Sequence, residues 1–177
     1  DLSKTMAWKD AIVGRLTGGV SGLLQKARVK IVHGRARFRD GKTVEVSTET
    51  GQQVIRAETV VIATGSDSVE LAALPFGGRV ISSTEALSLT ELPKRLVVVG
   101  GGYIGLELGT AFARMGSEVT VVEATSQILP LYDADLVKPV LRRLGERGIK
   151  VLTEARAVGL SDTGEALVVE TAEGRRD

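Results

Sequence analysis

The pattern of apolar and polar positions divides the chain into stretches of different grammar. From about Lys4 to Lys26, Met6, Ile12, Val13, Leu16, Val20, Leu23 and Leu24 recur at mixed spacings of three and four, which predicts an amphipathic helix. Gly14, Gly18, Gly19 and Gly22 weaken it, each by up to about 1 kcal/mol relative to alanine, so support must come from outside the helix. Short β-rich runs follow: VKIVHG, ARF, TVEVST, QVIRA and TVVIATG. Asp40-Gly41 and Thr50-Gly51 mark hairpin turns between them, and the whole predicts a β-meander. The last run, Thr59 to Ala63, is apolar without alternation, which predicts a central parallel strand buried on both faces.

Residues 67–94 read as a connecting segment, broken at Pro75, Gly77, Gly78 and Pro93, with a short helix opening at SSTEAL under a Ser83 cap. From Arg95 the pattern becomes strand RLVVV, glycine loop, helix Tyr103 to Met115, strand EVTVVE, long loop, helix Asp133 to Arg147, and strand IKVLT. Alternating β and α in this order predicts an α/β fold with a Rossmann-like, doubly wound parallel sheet and right-handed crossovers. Ala157 to Gly174 reads as a further hairpin around SDTGE. The expected division is therefore 1–66, 67–94 and 95–177, with a further buried parallel strand expected where the chain stops at AEGRRD.

Composition narrows the function classes. At 177 residues and 43% hydrophobic, the chain is long enough to bury a core. Twenty-three basic against twenty-two acidic residues leave a net charge of +1, so neither nucleic acid nor an anionic membrane is an expected partner. With no cysteine, this chain cannot by itself perform thiol redox chemistry or build a thiolate metal site, and no metal site is expected. No run approaches the roughly 18 apolar residues of a membrane helix, and the N-terminus lacks a leader pattern, so a soluble, cytoplasmic protein is expected. A start at Asp1 without methionine reads as a fragment or a processed product.

The chemistry concentrates in LVVVGGGYIGLELG, Leu96 to Gly109. Gly100, Gly102 and Gly105 have the G-x-G-x-x-G spacing, a weak signal alone, but here they follow a buried strand and open a helix. Gly100 permits a tight turn, Gly102 lets backbone N–H groups approach a pyrophosphate, and Gly105 lets the helix pack close to the strand. The helix N-terminus then offers unpaired donors and a positive dipole end to an anion. The competing reading is a close helix–sheet contact with no ligand.

Glu123 ends the next strand, 18 residues after Gly105. There a carboxylate can accept the ribose hydroxyls of NAD, whereas the 2′-phosphate of NADP brings like charges together, at about 4 kcal/mol per pair at 4 Å and an effective dielectric near 20. The following ATSQ offers no arginine to receive that phosphate, so NAD is the expected nucleotide. The competing reading makes Glu123 a solvated strand end.

These residues carry a resemblance. TVVIATGS, then PKRLVVVGGGYIGLELGTAFARMGSEVTVVE, then ILPLYDADL resemble the flavin-dependent pyridine nucleotide-disulfide oxidoreductases, most closely their dihydrolipoyl dehydrogenase branch, over nearly the whole chain. The resemblance implies electron transfer from dihydrolipoamide through a cysteine pair and FAD to NAD, in a homodimeric parent enzyme serving a lipoyl-domain protein. It makes 1–66 the C-terminal part of an FAD-binding domain and 95–177 an NAD-binding Rossmann domain incomplete at its C-terminal end. Carried over position by position, Ala63, Thr64, Gly65 and Ser66 lie against FAD, and Ala36 touches its adenine. Gly100, Gly101, Gly102, Ile104, Gly105 and Glu123 grip NAD, and Ala155 flanks its adenine. Glu107 matches a carboxylate near flavin and nicotinamide, with a solvated helix residue as the alternative. Tyr103 is either an aromatic gate over the nicotinamide or a packing residue at the helix start. His33, the sole histidine, falls in an expected strand and reads as structural.

The departures matter equally. The family's own FAD glycine fingerprint, its cysteine pair and its acid/base histidine domain are not in this sequence, so no catalytic residue is assigned and the chain alone is expected to be inactive. Exposed apolar surface from incomplete domains predicts self-association. Two alternatives stay open: another branch of the family, such as mercuric reductase, glutathione reductase or a transhydrogenase, and a non-catalytic NAD-binding module.

Overall fold

A computed structural model describes residues 1–176. Two compact units result: Trp8–Asp67, and Asp1–Ala7 with the chain from Ser68 onward.

In the first unit, helix α1 (Leu2–Lys26) carries over from Asp1–Ala7, and an antiparallel meander of β1 (Arg35–Phe38), β2 (Thr43–Thr48) and β3 (Gly51–Arg56) follows. Phe38 pairs with Val44 across the Asp40-Gly41 turn. Thr48 pairs with Gly51, so the second turn is Glu49-Thr50 and Gly51 begins the strand. Two expected strands do not form. VKIVHG leaves α1 as irregular chain, with Val29 and Ile31 exposed and His33 outside any strand. Thr59 to Ala63, read as a strand buried on both faces, is also irregular, and Val61 and Ile62 are 82% and 71% exposed. A parallel strand takes its hydrogen bonds and its burial from neighbours, and among the described residues no strand pairs with these runs. The apolar stripe of α1 is likewise uncovered, with Trp8, Leu16 and Leu23 more than 60% exposed.

The second unit is the α/β grammar made real. It contains α2 (Ser83–Ala86), β4 (Arg95–Val99), α3 (Tyr103–Met115), β5 (Glu118–Val122), α4 (Ala134–Glu146) and β6 (Lys150–Leu152). An antiparallel sheet of β7 (Arg156–Leu160), β8 (Leu167–Thr171) and β9 (Gly174–Arg176) completes it, so the hairpin around SDTGE gains a third strand. Strands β4, β5 and β6 pair in parallel in that order, Leu96 opposite Val119 and Val121 opposite Val151.

Strand β5 is central, and Val119 and Val121 are each 1% exposed. Strand β4 is not the buried strand expected. It lies at the sheet edge, with Val97 and Val99 each 43% exposed while Leu96 and Val98 pack on the core. Leu106 and Phe112 from α3, Val137 and Leu144 from α4, and Ile128 join that core, and Ile81, Leu89 and Leu92 of the 67–94 segment pack against it. The cap of α2 is Ser82 rather than Ser83. Its side chain accepts from Thr84 N while Glu85 accepts from Ser82 N, a reciprocal box that satisfies two helix-end donors. Among the described residues no helix is long and apolar enough to cross a membrane.

Candidate functional site

The glycines of the loop between β4 and α3 and of the first turns of α3 answer to different constraints. Gly100 has φ +101°, a left-handed conformation that only glycine adopts without strain, and its N–H extends the parallel ladder to Val122 O at 2.8 Å. At Gly105 a Cβ would lie 2.7 Å from Val98 Cγ1 and 2.8 Å from the Gly100 carbonyl, so α3 could not approach β4 with any side chain there. Gly109, a turn later, is tight but less so, at 3.3 Å from Val98 Cγ2. Gly102 is different. Its φ of −75° and ψ of 168° suit any residue, and no atom lies within 4 Å of a Cβ built on it. It heads α3 with no side-chain cap, leaving the first-turn N–H groups of an exposed helix start that includes Tyr103 and Ile104.

Gly101, the unconstrained position of the motif, is constrained here. A Cβ would sit 2.7 Å from Ile128 Cγ2 and 3.2 Å from Glu123 Oε2. Ile128 is fully buried, and Leu129 N donates to the Gly101 carbonyl at 2.9 Å. The long loop after β5 thus folds back beneath the glycine loop. Sequence reasoning missed Ile128, and its only signal was an isoleucine following the polar run ATSQ.

Glu123 is not a solvated strand end. It is 8% exposed, and its Oε2 accepts from Gly101 N at 2.7 Å. Its Oε1 accepts from Thr125 N and Thr125 Oγ1, both at 2.8 Å. Burial disfavours its charged form, but the donors from Gly101, Thr125 and Ala124 outweigh that, and the carboxyl is held below its ordinary range. The site therefore keeps a fixed negative charge joining the loop after β4 to the loop after β5. Backbone bonds from Ala155 N to Glu123 O at 3.0 Å and Glu154 N to Thr125 O at 2.8 Å add the corner after β6 to the assembly. Ala155, 1% exposed, thereby lies beside the strand end that carries Glu123.

Tyr103 and Glu107, one turn apart on the exposed side of α3, line an open groove of about 440 Å³ with Arg114 of α3 and Val140 and Leu144 of α4. Tyr103 is 63% exposed, and the groove it lines is shared with the core residues Leu106 and Leu144. The remaining expected cofactor residues, Ala36 and Ala63 to Ser66, belong to the Trp8–Asp67 unit. Ala36 sits in β1 opposite Val46, and Ala63, Thr64, Gly65 and Ser66 are exposed irregular chain.

This geometry has close counterparts. Dihydrolipoyl dehydrogenase of Pseudomonas aeruginosa is 54% identical over 165 residues, covering 93% of this chain and 36% of that protein. Dihydrolipoyl dehydrogenase of Bacillus subtilis is 42% identical over 170 residues, covering 96% of this chain and 36% of that protein. Among solved structures, LpdA from Mycobacterium tuberculosis superposes with a TM-score of 0.86 at 26% identity, covering 98% of this chain and 40% of that one. The HOCl-induced flavoprotein disulfide reductase RclA from Escherichia coli gives 0.85 at 27% identity, covering 99% and 40%. The chain thus spans little more than a third of the length of these curated relatives. Residues 2–177 match the family described as pyridine nucleotide-disulphide oxidoreductase, and the chain belongs to that family.

Proposed function

We propose that this chain is the nucleotide-gripping portion of a dihydrolipoyl dehydrogenase, with NAD held between the start of α3 and Glu123. The observation that carries the reading is Gly102. Gly100 is explained by its backbone angle, and Gly101 and Gly105 by contacts inside the protein. Among the described residues no atom crowds position 102, which leaves an open, uncapped helix start suited to a pyrophosphate. Glu123, buried, ionised and adjoining the same loop, supplies the acceptor for a ribose hydroxyl.

The residues present fit both cofactors to different degrees. For NAD they form an assembled cradle; for FAD the chain offers the exposed run Ala63 to Ser66 and Ala36. In the parent enzyme a bound flavin and nicotinamide would supply the electron-transfer chemistry between dihydrolipoamide and NAD. This chain's own part would be binding and orientation: the N-terminus of α3 would hold the pyrophosphate, Glu123 the adenosine ribose, and Tyr103 and Glu107 the nicotinamide end. The proposal extends to FAD in the parent enzyme, in line with the flavoprotein among the structural neighbours, and to a lipoyl-domain partner, in line with the dihydrolipoyl substrate in the relatives' name; the homodimer and the cytoplasmic setting rest on the family resemblance alone.

Fluorescence titration of the purified chain with NADH and NADPH tests the grip. Saturable NADH binding at least about tenfold tighter than NADPH, some 1.4 kcal/mol, is the expected result. Equal affinity assigns the chain to an NADPH-tolerant branch of the family, and no binding of either removes the proposed site.

A further inference from the structure

The tether on Glu123 has one side-chain member, the Thr125 hydroxyl. Oε1 already accepts two hydrogen bonds, from Thr125 N and Thr125 Oγ1, which fills its two lone-pair directions. Oε2 accepts one, from Gly101 N. One further donor fits at Oε2, so a ribose hydroxyl can bind there while Thr125 holds Oε1. Thr125 Oγ1 lies 2.8 Å from Glu123 Oε1 and also 2.8 Å from the Gln127 carbonyl, and it has one proton for the two acceptors.

Resting on the reading that Glu123 receives the adenosine ribose, we infer that Thr125 is a positioning residue that makes this site selective against 2′-phosphorylated nucleotides. The physical reason is that like-charge repulsion discriminates only if the carboxylate cannot turn away. A glutamate free to rotate would swing off a 2′-phosphate and relieve the repulsion within a few ångströms, because Coulomb energy falls with distance and with solvent access. Here three donors from two loops hold the carboxylate at 8% exposure. Two of them are backbone groups, and Thr125 Oγ1 is the side-chain member. A 2′-phosphate, deprotonated at pH 8, brings no proton to Oε2 and meets a carboxylate held in place.

The test compares the unmodified chain with Thr125→Val and Thr125→Ser, measuring NADH and NADPH dissociation constants at pH 8 by fluorescence and Tm by thermal unfolding. Thr125→Val keeps the shape and the backbone donor but removes the hydroxyl. Its ratio of NADPH to NADH dissociation constants is expected to fall at least threefold, chiefly through tighter NADPH binding, while Thr125→Ser restores the ratio to within twofold. An unchanged ratio in Thr125→Val overturns the inference, as does an equal loss of both nucleotides at lowered Tm, which marks a loop-shaping role. If the unmodified chain binds neither nucleotide, or both equally, the reading of Glu123 itself fails and the inference falls with it.

Discussion

The two units place similar apolar sequences in opposite environments. In the unit from Ser68 onward, EVTVV becomes β5, with β4 on one side and β6 on the other, and Val119 and Val121 are 1% exposed. In the unit Trp8–Asp67, TVVIA likewise has four β-branched residues of five, yet Val61 is 82% exposed and Ile62 71%. Local pattern states which residues favour burial. Whether they obtain it depends on neighbours on both flanks, which the described residues provide for β5 and do not provide for Thr59 to Ala63.

That contrast predicts a large difference in mutational cost. Phe112, 2% exposed in the core beneath α3, should cost about 3–5 kcal/mol when changed to alanine, lowering Tm by many degrees. Ile62→Ala should stay within about 0.5 kcal/mol, as for other exposed positions away from packed contacts. Thermal unfolding of both variants measures the gap. A destabilised Ile62→Ala would break the comparison, since it would mean that Thr59 to Ala63 is covered in solution by another copy of the chain.

Within the glycine loop the comparison sharpens to neighbouring positions. Gly105→Ala pushes a methyl to 2.7 Å from Val98 Cγ1 and 2.8 Å from the Gly100 carbonyl, and the carbonyl is backbone that cannot swing aside. A cost of about 1–3 kcal/mol follows, the usual range for overpacking. Gly102→Ala meets open space at an ordinary φ and should leave Tm nearly unchanged while weakening NADH binding severalfold. Paired Tm and titration data check both. If Gly102→Ala unfolds the protein, that glycine has a structural task and no longer argues for a ligand.

The site was more legible than its surroundings, for a physical reason. The spacing of Gly100, Gly102 and Gly105 and the distance to Glu123 reflect local strand–loop–helix geometry, which a sequence records directly. The α3 limits follow from a glycine at each end, Gly102 before Tyr103 and Gly116 after Met115. What stayed hidden depends on contacts across the fold. Ile128 beneath Gly101, Thr125 against Glu123 and the edge position of β4 are consequences of where the loop after β5 returns, which no spacing rule encodes. The Ser82 cap was missed by one residue because three adjacent polar side chains, Ser82, Ser83 and Thr84, offer the same chemistry and only the Glu85 partner selects among them.

The smallest effect concerns pH, and it separates Glu123 from the other carboxylates held low. Asp40 in the first unit and Glu85 in the second are exposed, and their hydrogen bonds to Lys42 and Ser82 are screened by water. Glu123 is buried, opposed by desolvation and held low by Gly101, Thr125 and Ala124 against the ordinary glutamate value of 4.5. Because its folded-state pKa lies below the unfolded one, its stabilising contribution is complete above about pH 5 and is lost as pH falls through the folded-state value. Glu123→Gln has no such proton to take up. The Tm difference between the unmodified chain and Glu123→Gln should therefore be constant from pH 6 to 8 and shrink on acidification, with Asp40 and Glu85 cancelling because both proteins carry them. A difference that stays constant down to the onset of acid unfolding would mean that the three donors at Glu123 do not favour its charge. The electrostatic basis for distinguishing this buried carboxylate from the exposed ones would then be gone.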